Sequence, residues 1–383
     1  MICQKQLFDI PPDIHYLNAA YMSPLLKSVY EAGDAGMKRK FNPSAICSDD
    51  FFQLAEVVKQ KFSKLINAPA QQIAIIPSAS YGLKNAIDNI PINTGNHALV
   101  VAHEFPSDYY ALSEWCTKNR KKMNVVEAPN VAAGRGATWT EKLLDAISPE
   151  TSVVVISSIH WADGTLFNLK RIGEKCKKVN ARFIVDGTQS VGALPVDVTE
   201  FQIDALICAA YKWLMGPYSI GLAYYREVYN DGIPIEDSWM NRTNANDFTS
   251  LNQYAHEYKP GAARYNVGEY SNFILLPMLD RALEQIHEWR PEAVQEYCRI
   301  LIQPLVNYLQ DNGYWVEENN YRANHLFGFI LPETVDKETL LQELQKRKVF
   351  VSVRGDAIRI SPHVYNDAVD IEVLIDTLRK NRS

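Results

Sequence analysis

Residues 181–217 read ARFIVDGTQSVGALPVDVTEFQIDALICAAYKWLMGP. Two apolar runs, ARFIV (181–185) and ALICAAY (205–211), each stop at a charged side chain, Asp186 after the first and Lys212 after the second. Runs this short and apolar predict buried strands, and a charge at the end of one is costly unless it is solvated or paired. Further runs lie on either side: IAIIP (73–77), ALVVAH (98–103), MNVVEA (123–128), SVVVISSIHW (152–161) and SIGLAYY (219–225). Helical patterns separate several of them, in SYGLKNAIDNI, PSDYYALSEWCTKN, WTEKLLDAI and NLKRIGEKCKKVN. Near-continuous apolar strands alternating with helices predict an α/β fold with a mostly parallel, seven-stranded sheet covered on both faces.

Beyond residue 270 the texture changes. Two long helical patterns (271–289 and 291–312) precede short strands near 314–318, 325–331, 349–353 and 357–360, with helical stretches at 336–347 and 367–380. The expected division is an N-terminal arm (1–20), a large α/β domain (21–270) and a smaller α+β domain (271–383). The segment 228–272 is polar and rich in Asn and Tyr, and irregular connections of that length are usually functional.

With 383 residues, 47% of them hydrophobic, the chain can bury a sizeable core. The N-terminus lacks the basic start and apolar stretch of a signal peptide, and no run approaches membrane-spanning length. Six scattered cysteines without a CxxC pair suit a reducing cytoplasm rather than a disulfide framework or a zinc knuckle. A net charge of −6 without a basic tail argues against nucleic acid as a partner. In NLKRIGEKCKKVN, Ile172, Cys176 and Val179 recur at helical spacing, so its lysines form the wet face of an amphipathic helix.

In sheets of this kind ligands bind beyond the carboxyl ends of the strands. After IAIIP, Ser78, Ala79 and Ser80 lead into a helix whose N-terminus can cradle a phosphate, although an ordinary N-cap explains the same residues. After ALVVAHE, Phe105 can stack on a flat ligand or simply pack the core. Asp186 can hold a protonated ring nitrogen, with Gln189 donating to an oxygen of the same ligand. Lys212, flanked by Tyr211 and Trp213, becomes a nucleophile if it is desolvated beside other positive charge. Taken singly, each has a bland explanation. Together they describe a site for pyridoxal 5′-phosphate joined to Lys212 as a Schiff base.

The blocks SASYGLKNAI, FPSD, DGTQSVGALPVD and AYKWLMGP resemble the motifs of class V aminotransferases, and the likeness continues through RYNVGEYSNFILLPML (264–279) to RISPHVYN (359–366). These are fold-type I pyridoxal phosphate enzymes, a group that includes cysteine desulfurases, kynureninases and isopenicillin N epimerase-like proteins. The resemblance implies that Lys212 carries the cofactor and later shuttles a proton, and that Asp186 pairs with the pyridine nitrogen. It implies that Gln189 contacts the phenolic oxygen, that Phe105 stacks on the ring, and that Ala79, Ser80 and Tyr211 bind the phosphate. Asp108, last residue of FPSD, is implied to contact the cofactor, and Arg359 to take the substrate's α-carboxylate. It further implies a homodimer in which Trp239 and Asn272 are additional phosphate contacts across the subunit boundary.

Two features depart from desulfurases. Ala209 and Trp161 stand where those enzymes carry a phosphate-binding serine and an asparagine, and no cysteine follows Cys298 to serve as the sulfur-accepting thiolate. Desulfurase activity is therefore not expected; the resemblance implies a transformation of an amino acid, and family frequency puts transamination, with a keto acid as second substrate, first. A lyase of kynureninase or β-eliminating type, an epimerase, and a non-catalytic protein that binds pyridoxal phosphate or an amino acid are the alternatives. His160 and His363 lie near the predicted site and read as hydrogen-bonded structural histidines.

Overall fold

The structure, a computed structural model, describes residues 1–131 and 133–381. The chain begins with a two-residue strand, β1 (His15–Tyr16), and two helices, α1 (Lys27–Lys38) and α2 (Gln53–Leu65). There follow β2 (Ile73–Ile76), α3 (Ala79–Asp88), β3 (His97–Val101), α4 (Pro106–Lys118), β4 (Lys122–Val126), α5 (Arg135–Ala146), β5 (Thr151–Ser157), α6 (Leu169–Val179), β6 (Arg182–Asp186), β7 (Ala205–Ala209) and β8 (Gly221–Tyr225). Beyond the irregular connection come α7 (Leu275–Trp289), α8 (Pro291–Asp311), β9 (Trp315–Val316), β10 (Phe327–Ile330), α9 (Lys337–Lys346), β11 (Val349–Phe350), β12 (Ser352–Arg354), β13 (Ala357–Ile360) and α10 (Ala368–Lys380).

The seven strands expected of the large sheet are all present, in the order β2-β8-β7-β6-β5-β3-β4. Pairing is parallel from β4 to β7, whereas β8 runs antiparallel to both β7 and β2. Six of the seven strands are buried along nearly their whole length because both faces are covered, whereas the edge strand β4 (KMNVV) is largely exposed. Along β5, Val153 and Val155 pack with Leu83, Leu112 and Trp115 of α3 and α4. Val154 and Ile156 face the other way, into a core shared with Phe62, Leu143, Ile172 and Leu283 of α2, α5, α6 and α7. Alternation of side chains along a strand produces the two cores.

Local signals set several helix ends. Ser78 caps α3, its hydroxyl accepting from the Tyr81 N–H at 3.2 Å, and Pro106 occupies the first turn of α4. Asn168 caps α6, and Asn180 ends it in the left-handed conformation at φ 61°. On α6, Lys170, Lys177 and Lys178 are exposed while Ile172 and Cys176 are buried, as the amphipathic pattern predicts.

The second, antiparallel sheet has the order β12-β13-β10-β9, with α8, α9 and α10 contributing to its core. The first residues of the chain run along this region: β1 pairs in parallel with β11, and Asn18 bridges to Ser361. The free edge of β2 is closed by the long connection, where the Ile75 N–H donates to Asn266 Oδ1 and the Val267 N–H to the Ile75 carbonyl, each at 2.9 Å. Among the described residues no helix is long and apolar enough to cross a membrane.

Candidate active site

Strand register brings the charged ends together. Ile76 and Ala209 both lie opposite Gly221 of β8, while Ser157 and Ile207 flank Asp186 on its two sides. The residues following β2, β3, β6 and β7 therefore meet at one edge of the sheet. There, a cavity of about 240 Å³ is lined by Ser78, Ala79, Ser80, Phe105, Asp186, Gln189, Tyr211 and Lys212, with Ser107, Trp161, Thr188 and Tyr218 among its other walls. It opens into an outer cavity of about 380 Å³ that shares Phe105, Trp161, Gln189, Tyr211, Lys212 and Tyr218 and adds Arg354 and Arg359.

One end is shaped for an anion. The first turn of α3 supplies backbone N–H groups and the positive end of the helix dipole. Ser78 and Ser80 set their hydroxyls 3.0 Å apart at this point. Gly221 lets β8 lie close against β7 beside this end, since a Cβ there would lie 2.4 Å from the Cys208 carbonyl oxygen.

Beneath the middle lies a cluster of buried carboxyl groups. Asp186 Oδ1 accepts from the Thr188 N–H at 2.8 Å. Burial pushes its carboxyl upward, opposed by the Thr188 hydrogen bond and the charge of Lys212. Asp108, on α4, is wholly buried with neither carboxyl oxygen hydrogen-bonded. Burial, and then the adjacent charges of Asp186 and Glu104, hold it well above the usual carboxylate range. Glu104 is tied to Ser157, whose N–H and Oγ donate to it at 2.7 and 2.5 Å.

Lys212 is only 6% exposed, which answers whether its charge is solvated. Its Nζ stands 5.6 Å from the centre of the Phe105 ring and 5.5 Å from that of Tyr211. Burial draws its pKa down to about 8, Arg359 and Arg354 add to the shift, and the Asp186 carboxylate resists it. These are the conditions under which an amine is available as a nucleophile near neutral pH.

The outer cavity carries the second polar end. Arg359 is 1% exposed; its Nη1 donates to the Trp161 carbonyl at 2.7 Å, while Nε and Nη2 have no partner. Burial, with Arg354 nearby, lowers its pKa to about 9. A buried guanidinium with free N–H groups can receive a planar anion.

Gln189 also borders the cavity, but its amide is engaged: Nε2 donates to the Ala20 carbonyl at 3.2 Å and Oε1 accepts from Trp213 Nε1 at 2.8 Å. One N–H of Nε2 is left for a ligand. Trp239 and Asn272 do not line either cavity. Trp239 is 43% exposed with its ring edge-on to Phe248 at 5.6 Å, and Asn272 Oδ1 accepts from the N–H groups of Ile274 and Leu275 at the start of α7. His160 is buried between Asp163 and the Ala102 carbonyl, and His363 is buried against Trp213 with both ring nitrogens unpartnered. Neither lines a cavity of the site. Glu104, Thr188 and Arg354 belong to the site without having been singled out in the sequence. The first precedes Phe105 directly, the second lies between Asp186 and Gln189, and the third lies five positions before Arg359.

These groups fit pyridoxal 5′-phosphate. They offer a helix N-terminus with hydroxyls for the phosphate, an aromatic face, the buried Asp186 carboxyl for a ring N–H, and a desolvated amine within the same cavity. Asp108, expected to contact the cofactor, lies behind Asp186 and lines neither cavity.

The model of the family described as Aminotransferase class-V matches residues 27–374. The uncharacterized aminotransferase YcbU of Bacillus subtilis is 24% identical, over 84% of this chain and 82% of its own length. An uncharacterized aminotransferase of Schizosaccharomyces pombe is 25% identical, over 98% of this chain and 94% of its own. Among solved structures, the complex of the cystine C–S lyase C-DES with its product cysteine persulfide superposes with a TM-score of 0.85 at 18% identity, over 97% of this chain and 99% of that one. That last likeness shows the fold, which is that of the fold-type I enzymes. On the extent of the family match, the chain belongs to the class V aminotransferases, enzymes that transform amino acids with pyridoxal 5′-phosphate.

Proposed function

We propose that the protein transfers the amino group of an amino acid to a keto acid, with the cofactor joined to Lys212. The observation that carries this reading is the placement of the Lys212 amine and the unpartnered Arg359 guanidinium on one cavity. Bound there, pyridoxal phosphate supplies an electron sink beside the substrate's α-carbon. Arg359 takes the α-carboxylate through Nε and Nη2 and so fixes the orientation of the α-carbon. Lys212, with its pKa near 8, takes the α-proton and returns it, a task for which a pKa close to the working pH is suited. Asp186 would hold a proton on the ring nitrogen. Asp108, favoured in its protonated form, spares Asp186 a second adjacent negative charge. Phe105 and Trp161, edge-on with ring centres 5.7 Å apart, close the roof against water.

Transamination is favoured over elimination by the two curated relatives that span most of the chain and carry aminotransferase names. A desulfurase's own thiolate is disfavoured: among the described residues no cysteine lines the cavity, and burial raises the thiols of Cys116, Cys176, Cys208 and Cys298. We also propose a homodimer in which the connection bearing Trp239 and Asn272 reaches the neighbouring subunit's phosphate site. The large apolar side chains left outward in this copy, Phe41 and Tyr254 at 87% exposure, support it.

The test is transfer of isotopic nitrogen from a panel of labelled amino acids to keto acids by the purified protein. Label in a new amino acid supports transamination. Ammonia and a cleaved product without any acceptor would instead identify a lyase, and inversion at the α-carbon an epimerase.

A further inference from the structure

Arg354 and Arg359 stand on the same face of the β12–β13 hairpin. Ser352 lies opposite Arg359 and Arg354 opposite Ala357, so alternation sets all four side chains on one side. The two arginines are then diagonal neighbours, a separation that long side chains span. Both line the outer cavity together with Lys212. The Arg354 guanidinium stands 5.6 Å from the centre of the Trp161 ring and donates Nη1 to the Val353 carbonyl at 2.8 Å, while its Nε is buried without a partner. Among the described residues neither arginine forms an ion pair with an acidic side chain. Three cations thus border one partly desolvated space, and the charge of Arg354 depresses the pKa of both Lys212 and Arg359. Such an arrangement is unfavourable until counter-charge arrives.

One arginine suffices for an α-carboxylate. We propose that Arg354 receives a second anionic group, carried on the substrate's side chain, so that the enzyme acts on acidic amino acids in preference to neutral ones of similar length. The cation–π contact with Trp161 would hold its guanidinium at the cavity wall, where a planar carboxylate can meet it. This inference rests on reading the cavity as the amino-acid site argued above.

The test is calorimetric titration of the holoenzyme with glutarate and with butyrate, which differ in the second carboxylate and need no turnover. Glutarate is expected to bind about 10- to 100-fold more tightly, the range of a charge-assisted arginine contact. Arg354→Gln should remove that preference, weakening glutarate far more than butyrate, and Arg354→Lys, which keeps the charge without the fork, should fall between. Equal binding of the two acids, or a loss in Arg354→Gln that affects both alike, would overturn the proposal. The colour of the same samples separates the two claims. A colourless protein that still prefers glutarate would defeat the cofactor reading alone, and a yellow protein indifferent to the second carboxylate would defeat this one alone.

Discussion

Arg359 donates Nη1 to the backbone carbonyl of Trp161 at 2.7 Å, an anchor that leaves Nε and Nη2 buried and unpaired. One N–H thus positions the guanidinium and the remaining edge is free to recognise a carboxylate as a fork. Lysine at this position would keep a charge and lose the second hydrogen bond. Arg359→Lys should therefore raise KM for the amino acid roughly 10- to 100-fold, with a smaller change in kcat. Steady-state kinetics on the best donor checks the split. An unchanged KM would remove Arg359 from substrate binding.

The two buried aspartates should respond differently to amidation. Asp186 is proposed to face the positive ring nitrogen, and loss of one partner from a buried ion pair costs about 3–5 kcal/mol. Asp186→Asn should weaken cofactor retention by roughly 100- to 1000-fold. Burial and neighbouring carboxylates favour the protonated form of Asp108, so Asp108→Asn should retain the cofactor nearly as well as the wild type. Equilibrium dialysis against pyridoxal phosphate measures both, and similar losses in the two variants would contradict the assignment.

Lys212 links stability to pH in the cofactor-free protein. Its pKa falls from an ordinary 10.5 to about 8 on folding, so between those values the unfolded chain holds the proton and the folded chain does not. Stability from this group therefore rises with pH across that window, and the full penalty is present below about pH 8. Lys212→Met, which removes the charge, should stabilise the cofactor-free protein by about 1–3 kcal/mol at pH 7. That advantage should shrink as pH climbs toward 10.5. Denaturant midpoints of the two proteins over this range provide the check, and a constant gap would mean that the lysine is not desolvated.

Gly221 lets β8 lie close against β7. A methyl group there would meet the Cys208 carbonyl oxygen at 2.4 Å, with Ala209 Cα at 3.3 Å. Backbone on a central strand cannot retreat cheaply, so Gly221→Ala should cost about 1–3 kcal/mol. The denaturation midpoint should fall without a change in slope. A variant as stable as the wild type would show that β7 and β8 can separate.

Much of the fold and of the site is legible in the sequence. Six of the apolar runs form buried strands because burial on both faces favours apolar residues along them, the seventh forms the largely exposed edge strand β4, and the charges that interrupt the runs, Asp186 and Lys212, mark the ends that meet. Other features depend on information that a linear pattern does not hold. The reversal of β8 was not, because an apolar run carries no direction. The pairing of β1 with β11 joins the two ends of the chain over a distance that no local preference encodes. Helices α1 and α2 were not singled out in the sequence. Glu104 is concealed because an acidic residue ahead of a helix ordinarily reads as solvated, whereas here Ser157 binds it inside. Arg354 becomes visible once RGDAIR is read as a two-residue hairpin, for only the register places it beside Arg359.

The central claim is that Lys212 carries the cofactor. The visible absorption spectrum of the protein supplied with pyridoxal phosphate, before and after borohydride, tests it most directly with Lys212→Ala as the control. The account predicts a yellow band in the wild type that reduction fixes to the peptide containing Lys212, and no covalent attachment in the variant. A colourless wild type, or attachment that survives in Lys212→Ala, would contradict it.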